Sequence, residues 1–398
     1  SLTASRWYRV VVSSSCGSGT TAAVKVTVNP NVTAGALSAN QTICHSTAPA
    51  PLSFATAPAG GIGTFAMQWE YSADGAGFTP ISGATSATYA PASLTASRWY
   101  RVKSVNQCGT VTTAAVKVTV NPKVSSGVIG SAQTICFNTA PSALGFTTAP
   151  SGGVGAYAYQ WQHSTDGSYF SDVSGATSAT YAPASLTASR WYRVLVSNQC
   201  ETVTTNAVKV TVLGNVTSPE ISVNQTICYG ANPDELTIST LPTGGNGSFT
   251  YQWQSSTNGT TFSDIASATG VSYQPVSLTA SRWYRVVATT GCGSVTSNAV
   301  KVTVMDELKA GVIGSEQTIC FNTAPSVLGF TTAPSGGDGS YSYQWAKSLD
   351  GSNFTNVAWE TSASYEPEAL TASTWFRVAV ATGCGSVTSN AVKVTVMD

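Results

Sequence analysis

Histidine and charge are what this sequence has least of. Its 398 residues hold two histidines, and the 18 Lys+Arg with 18 Asp+Glu make up 9 % of the chain, where an ordinary soluble domain carries about 25 %. So few cations at zero net charge exclude a basic nucleic-acid binder, and the scarcity of histidine removes the usual general base of hydrolytic sites. No apolar run reaches the roughly 18 residues of a membrane span, and the opening SLTASRWYRV has neither a charged leader nor an apolar stretch. Any signal for export is therefore expected outside this sequence. Helical periodicity and CxxC pairs are also missing. Aromatic surface, in contrast, is plentiful: 10 Trp, 16 Tyr and 12 Phe are too many for a disordered chain.

The cysteines carry the organisation. They stand at 16, 44, 108, 136, 200, 228, 292, 320 and 384, with gaps that alternate between 28 and 64, so the sequence has a period of 92. Four whole copies follow, 31–122, 123–214, 215–306 and 307–398, after a piece at 1–30 that matches the last third of a copy. A start in mid-domain would leave strands unpaired, so the sequence is read as part of a longer array, with four copies as a lower bound. The copies are close: GVIGSAQTICFNTAPSALGFTTAPSGGVG at 127–155 and GVIGSEQTICFNTAPSVLGFTTAPSGGDG at 311–339 differ at three positions. Near-copies suit length, stiffness or many identical weak contacts better than a set of different ligand sites. Charge does vary along the array, the starting piece and the four copies carrying +3, +2, +1, −2 and −4.

Within each copy, short stretches alternate with period two between Gly, Pro, Asn and Asp turns, which predicts strands throughout. In 123–214, Tyr157, Tyr159 and Trp161 share a face predicted to be inward. A later strand puts Tyr192, Val194 and Val196 inward and leaves Trp191 and Arg193 outside, and Ala207–Val212 alternates in the same way. About seven strands and a core Trp in a domain of this size predict an all-β fold, a tandem array of Ig-like Greek-key β-sandwich domains.

The motifs NQTIC, GGxGxYxYQWQxSxDGxxF, GATSATY, SLTASRWYRV and CGxVTxNAVKVTV resemble the Ig-like and PKD-like tandem repeats of large Bacteroidota surface adhesins, including the SprB-type gliding-motility adhesins. The resemblance covers the whole chain. It implies export by type IX secretion and display at the cell surface.

Candidate chemistry is sparse. His45 aligns with Phe137, Tyr229 and Phe321, and His163 with Tyr71, Ser255 and Lys347, so neither position demands a base. Glu366 and Glu368 replace Ala182 and Ala184, which does not suit a carboxylate pair common to the copies. The Gly-Gly-x-Gly stretches at 60–63, 152–155, 244–247 and 336–339 lack a following Gly-Lys-Ser/Thr and precede strands, so they are read as loops. The Asp-Gly pairs at 74–75, 166–167 and 350–351 become Asn258-Gly259 in the third copy, which suits a tight turn better than a calcium ligand. Weak calcium binding between domains is the open alternative there. Lys25, Lys117, Lys209, Lys301 and Lys393 recur in the last strand near Asn206, Asn298 and Asn390, a pattern open to a Lys–Asn cross-link. Ala22 and Ala114 replace the Asn twice, so a solvated lysine guarding the strand is expected instead. Arg98 and Arg101 are expected to stack on the outward Trp99, and likewise around Trp191, Trp283 and Trp375. These rings are the candidate surface contacts, together with Trp359, whose equivalents are Gly83, Gly175 and Ser267 and which is either an interdomain contact or a ligand-facing ring. No catalytic residue, cofactor or metal site is assigned.

Two half-cystines per copy with no histidine companion indicate disulfides made in an oxidising compartment. Three schemes are open: within a copy (Cys44–Cys108), across the linker (Cys16–Cys44), or from one copy to the next (Cys44–Cys200, Cys136–Cys292, Cys228–Cys384). The third is preferred. A first strand over 32–44 would span the sandwich and end opposite the hairpin that holds the second cysteine of its own copy, too far for the roughly 7 Å limit on Cα separation.

The expectation for function is a non-enzymatic structural segment of a long secreted adhesin filament at the cell surface. It would project an adhesive tip and transmit force in gliding or attachment. Its partners would be neighbouring repeats, surface glycans or substratum, and a cell-envelope anchor or motility machinery. Two other readings stand beside it: a spacer stalk of a secreted polysaccharide-degrading enzyme, and a carbohydrate-binding array using the outward Trp residues.

Overall fold

A computed structural model describes residues 1–397. Among these, all regular structure is β-strand. The chain forms two compact units, one of Ser1–Ile135 with Thr139–Val212, the other of Cys136–Asn138 with Leu213–Asp398.

The stretch 123–214 illustrates every copy. Its strands are β1 (Val128–Ile129), β2 (Gln133–Ile135), β3 (Leu144–Thr148), β4 (Ala158–Ser164), β5 (Ser171–Asp172), β6 (Thr180–Tyr181), β7 (Arg190–Ser197), β8 (Thr202–Thr204) and β9 (Val208–Val212). One sheet has the order β1-β3-β6; the other runs β2-β9-β7-β4-β5, with β8 paired back on β7. Only β2 and β9 are parallel, with Gln133 opposite Val210 and Ile135 opposite Val212. This is the immunoglobulin arrangement, β1, β3 and β6 facing the sheet that holds β4, β7 and β9. The other three copies have the same strand order.

The expected single first strand is in fact two. In 31–122 the segments are Ala36–Leu37 and Gln41–Ile43, in different sheets. A register shift between Ala36 and Leu37 bends the first away from its sheet, and the chain crosses to pair with the last strand. With the final hairpin also broken in two, the expected seven strands become nine.

The core lies where the alternation predicts. Trp161, Val194, Val196 and Val210 are fully buried, with Leu144 and Tyr192 almost so. Burial of an indole would be costly with its N–H unpaired. Trp161 Nε1 donates to the Ser178 carbonyl at 2.9 Å, and Trp69, Trp253 and Trp345 repeat the bond. The preceding Gln160 donates to the carbonyls of Trp161 and Val173, at 2.9 and 2.8 Å, and so ties β4 to the segment after β5. The piece at 1–30 pairs Arg6–Tyr8 with Val24–Val26 and Val11–Ser14 with Gly17–Thr20, and leaves Trp7 and Val24 largely exposed.

Candidate functional site

The joint between copies is built by the parallel pairing. Because Gln41–Ile43 runs alongside Val116–Val120, Cys44 and Asn121 leave the domain side by side, and Asn121 N donates to the Ile43 carbonyl at 3.0 Å. The β3–β4 loop and the β7–β8 hairpin of the next copy then grip the linker. Gly153 N donates to the Pro122 carbonyl at 2.8 Å, and Val124 N to Glu201 Oε1 at 3.2 Å. Asn198 Oδ1, accepting from Cys200 N at 2.9 Å, shapes the hairpin that carries Cys200. Cys44 and Cys200 are bonded, their Cα atoms 5.4 Å apart.

The second compact unit holds two more such bonds, Cys136–Cys292 and Cys228–Cys384, again with Cα separations of 5.4 Å. The linker grip recurs as Gly245 N to the Gly214 carbonyl and Gly337 N to the Asp306 carbonyl, at 2.8 and 2.9 Å. All three disulfides span 156 residues. Cys16, Cys108 and Cys320 are exposed thiols.

This grip explains the Gly-Gly-x-Gly loops. Gly152 and Gly153 have φ of 81° and 73°, a region that favours glycine. A Cβ on Gly152 would collide with the Lys123 carbonyl oxygen, and one on Gly153 with Val124 and Asn198. The loops are thus linker clasps, a role that the sequence pattern alone did not suggest.

The outward rings need a correction. Arg98 and Arg101 do not cover Trp99; Lys117 does, its Nζ 4.5 Å from the ring centroid. Lys209, Lys301 and Lys393 lie likewise over Trp191, Trp283 and Trp375 at 5.6, 4.9 and 5.7 Å. Register is the cause: Trp99 is directly opposite Lys117, so both project from one face, whereas Arg98 points the other way. The recurring lysine is therefore a ring cover as well as a solvated charge, and the half-buried tryptophans are not bare platforms. On its other side the ring system meets the tight turn, since a Cβ on Gly75 would stand 3.3 Å from Trp99.

Arg101 instead lies over Phe78 at 4.0 Å and donates to Glu70 Oε2 at 2.7 Å. Arg193 repeats this over Phe170, donating to Gln162 Oε1 at 2.8 Å. The signal was available, because Phe and Arg recur 23 residues apart in all four copies.

The Asp-Gly segments are turns. Asp166 Oδ1 accepts from Ser164 Oγ, Ser168 N and Tyr169 N at 2.8, 2.8 and 3.0 Å. The amide bonds and then the hydroxyl hold its carboxyl below the usual range. Asn258 accepts the same three bonds, so the turn works without a charge. Asn206 accepts from Ile129 N at 3.1 Å and so fastens β1, while Lys209 is engaged with Trp191. Among the described residues no cluster of three His, Cys, Asp or Glu is placed to hold a metal. His45 Nδ1 is 2.8 Å from the hydroxyl of the adjacent Ser46.

The fourth copy departs from the rest around Lys347 and Thr374 among other places. Thr374 replaces Arg98, Arg190 and Arg282, and Lys347 replaces Tyr71, whose ring Arg98 covers at 4.8 Å. A cavity of about 430 Å³ opens there, lined also by Leu349, Asn353 and Leu370. Trp359 is 94 % exposed, on a turn at φ 64° where the aligned residues are glycine or Ser267.

These features define a tandem array of immunoglobulin-like β-sandwiches cross-linked by disulfides. The chain belongs to the family described as Domain of unknown function (DUF8696), matched at 33–122, 125–214, 217–306 and 309–398. Among solved structures it is similar to the titin domains I67–I69 (12 % identity over 67 % of this chain and 95 % of that one, TM-score 0.41). It is also similar to Sidekick-1 immunoglobulin domains 1–4 (14 %, 91 % and 97 %, 0.27) and to Drosophila OTK extracellular domains 3–5 (14 %, 69 % and 98 %, 0.28). No curated protein matches the sequence.

Proposed function

We propose that this chain is a non-enzymatic, load-bearing segment of a long secreted cell-surface adhesin filament, built of repeats 31–122, 123–214, 215–306 and 307–398 with 1–30 as the C-terminal part of another. It projects an adhesive tip and transmits force between the cell envelope and a substratum during gliding or attachment. The observation that carries this reading is the constant 156-residue disulfide, which ties one copy to the next. A cross-link at each joint serves a member under tension, and disulfides belong to compartments outside the reducing cytosol. The resemblance of NQTIC, QWQ and SLTASRWYRV to Bacteroidota gliding adhesins supports type IX export and the surface location.

The test is made in the source bacterium, by deleting residues 123–306 in frame. The deletion removes two whole periods and leaves Cys44 a partner in Cys384. Antibody should still label intact cells, while attachment under shear and gliding decline as reach shortens. Unchanged attachment and gliding, or an antigen found only inside the cell, would refute the proposal.

A further inference from the structure

We propose that the overlapping disulfides make the array tolerant of backbone cuts, so that its two ends stay covalently joined after any two cuts between Cys44 and Cys384. The inference rests on connectivity alone and is independent of what the filament displays.

Three bonds, 44–200, 136–292 and 228–384, reduce the covalent structure to three nodes. Cys44 with Cys200 is the first, Cys136 with Cys292 the second, and Cys228 with Cys384 the third. The first and third nodes are joined directly by residues 200–228. They are joined again through the second node, which is tied to the first by both 44–136 and 136–200 and to the third by both 228–292 and 292–384. A cut within 200–228 therefore reroutes the connection through the second node. A further cut within 44–136 still leaves the route backwards along 136–200. Parting the ends takes three cuts: one in 200–228 together with one in each member of either pair.

Other pairings have no such property. Bonds within a copy would leave 109–135 as a single thread, and bonds across the linker would leave 45–107 as one. Overlap therefore does something that the number of disulfides does not. Each cut adds water across one amide, giving a carboxylate and an ammonium, and leaves the sulfurs untouched. A filament outside the cell meets proteases and abrasion, and cut tolerance would keep it load-bearing after damage.

The experiment places one specific protease sequence in exposed loops of the full chain: at 217–218, at 75–77 and at 168–169, singly and together. Exposed thiols are alkylated first, so that they cannot exchange with the disulfides. On denaturing gels without reductant, the singly and doubly cut chains should run as one species of full mass, and reduction should release two and three fragments. The triply cut chain should part into two species without reductant. Separation of any singly or doubly cut chain without reductant would overturn the proposal, as would a triply cut chain that stays whole. Cys200→Ser with the 75–77 site alone should part on one cut; if it stays whole, the Cys44–Cys200 bond is not the tie and the proposal also fails.

Discussion

Pulling the chain by its two ends gives the sharpest number that the disulfide pattern predicts. With the bonds intact, the shortest covalent route runs from residue 1 to Cys44, from Cys200 to Cys228, and from Cys384 to residue 398, which is 43, 28 and 14 residue steps. At roughly 3.5 Å per step those 85 steps reach about 300 Å. Reduced, the 397 steps of the whole chain reach about 1,400 Å. Bonds within each copy would hide 64 steps four times and allow about 500 Å, and bonds across each linker would hide 28 steps four times and allow about 1,000 Å. Optical-tweezers extension to detachment, with and without a phosphine reductant, separates all four values. An oxidised chain that extends to 500 Å or beyond would refute the reasoning, because no unfolding of the domains can lengthen a route closed by S–S bonds.

Three further outcomes follow from the packing. Trp161→Ala should destabilise its domain by about 3–5 kcal/mol in urea unfolding, since a fully buried indole leaves a cavity and strands the Ser178 carbonyl. Gly152→Ala should cost about 1–3 kcal/mol and slow the formation of Cys44–Cys200 in oxidative refolding, because the new methyl meets the Lys123 carbonyl at the clasp; refolding at the native rate would count against the clasp. Burial pushes the Tyr284 phenol up to about 12 from 10.0. The neutral phenol is the favoured form in the fold, so its contribution is intact below pH 10 and is lost as pH rises through 12. Absorbance at the tyrosinate band should show late-ionising tyrosines, and Tyr284→Phe should lessen the loss of stability in that window.

The β-sandwich was legible because β7 alternates without interruption: Tyr192, Val194 and Val196 are all inside, as a period of two requires. The crossing of the first strand between sheets was not, since Leu37 and Ile43 both pack on the core and the change of sheet lies in a register shift that side-chain pattern does not encode. Lysine over tryptophan was hidden for a similar reason. Which cation meets a ring depends on the residue opposite it on the next strand, and sequence neighbours such as Arg98 are a poor guide. The cysteine spacing alone leaves three pairings open. What distinguishes them in the fold is the parallel run of Gln41–Ile43 along the last strand, which delivers Cys44 to the domain's exit beside the next copy's hairpin.

The constant separation of 156 residues has a consequence for the gene. Nearly identical copies invite unequal recombination, which adds or removes DNA in whole multiples of the repeat. Because each bonded cysteine finds its mate in the adjoining copy, and every copy carries the same linker clasp, a gain or loss of complete 92-residue periods rebuilds each internal joint unchanged. An insertion of any other length would misplace a mate. Length can therefore drift between strains in quanta of one repeat, and alleles of this gene should form a ladder of sizes with that step.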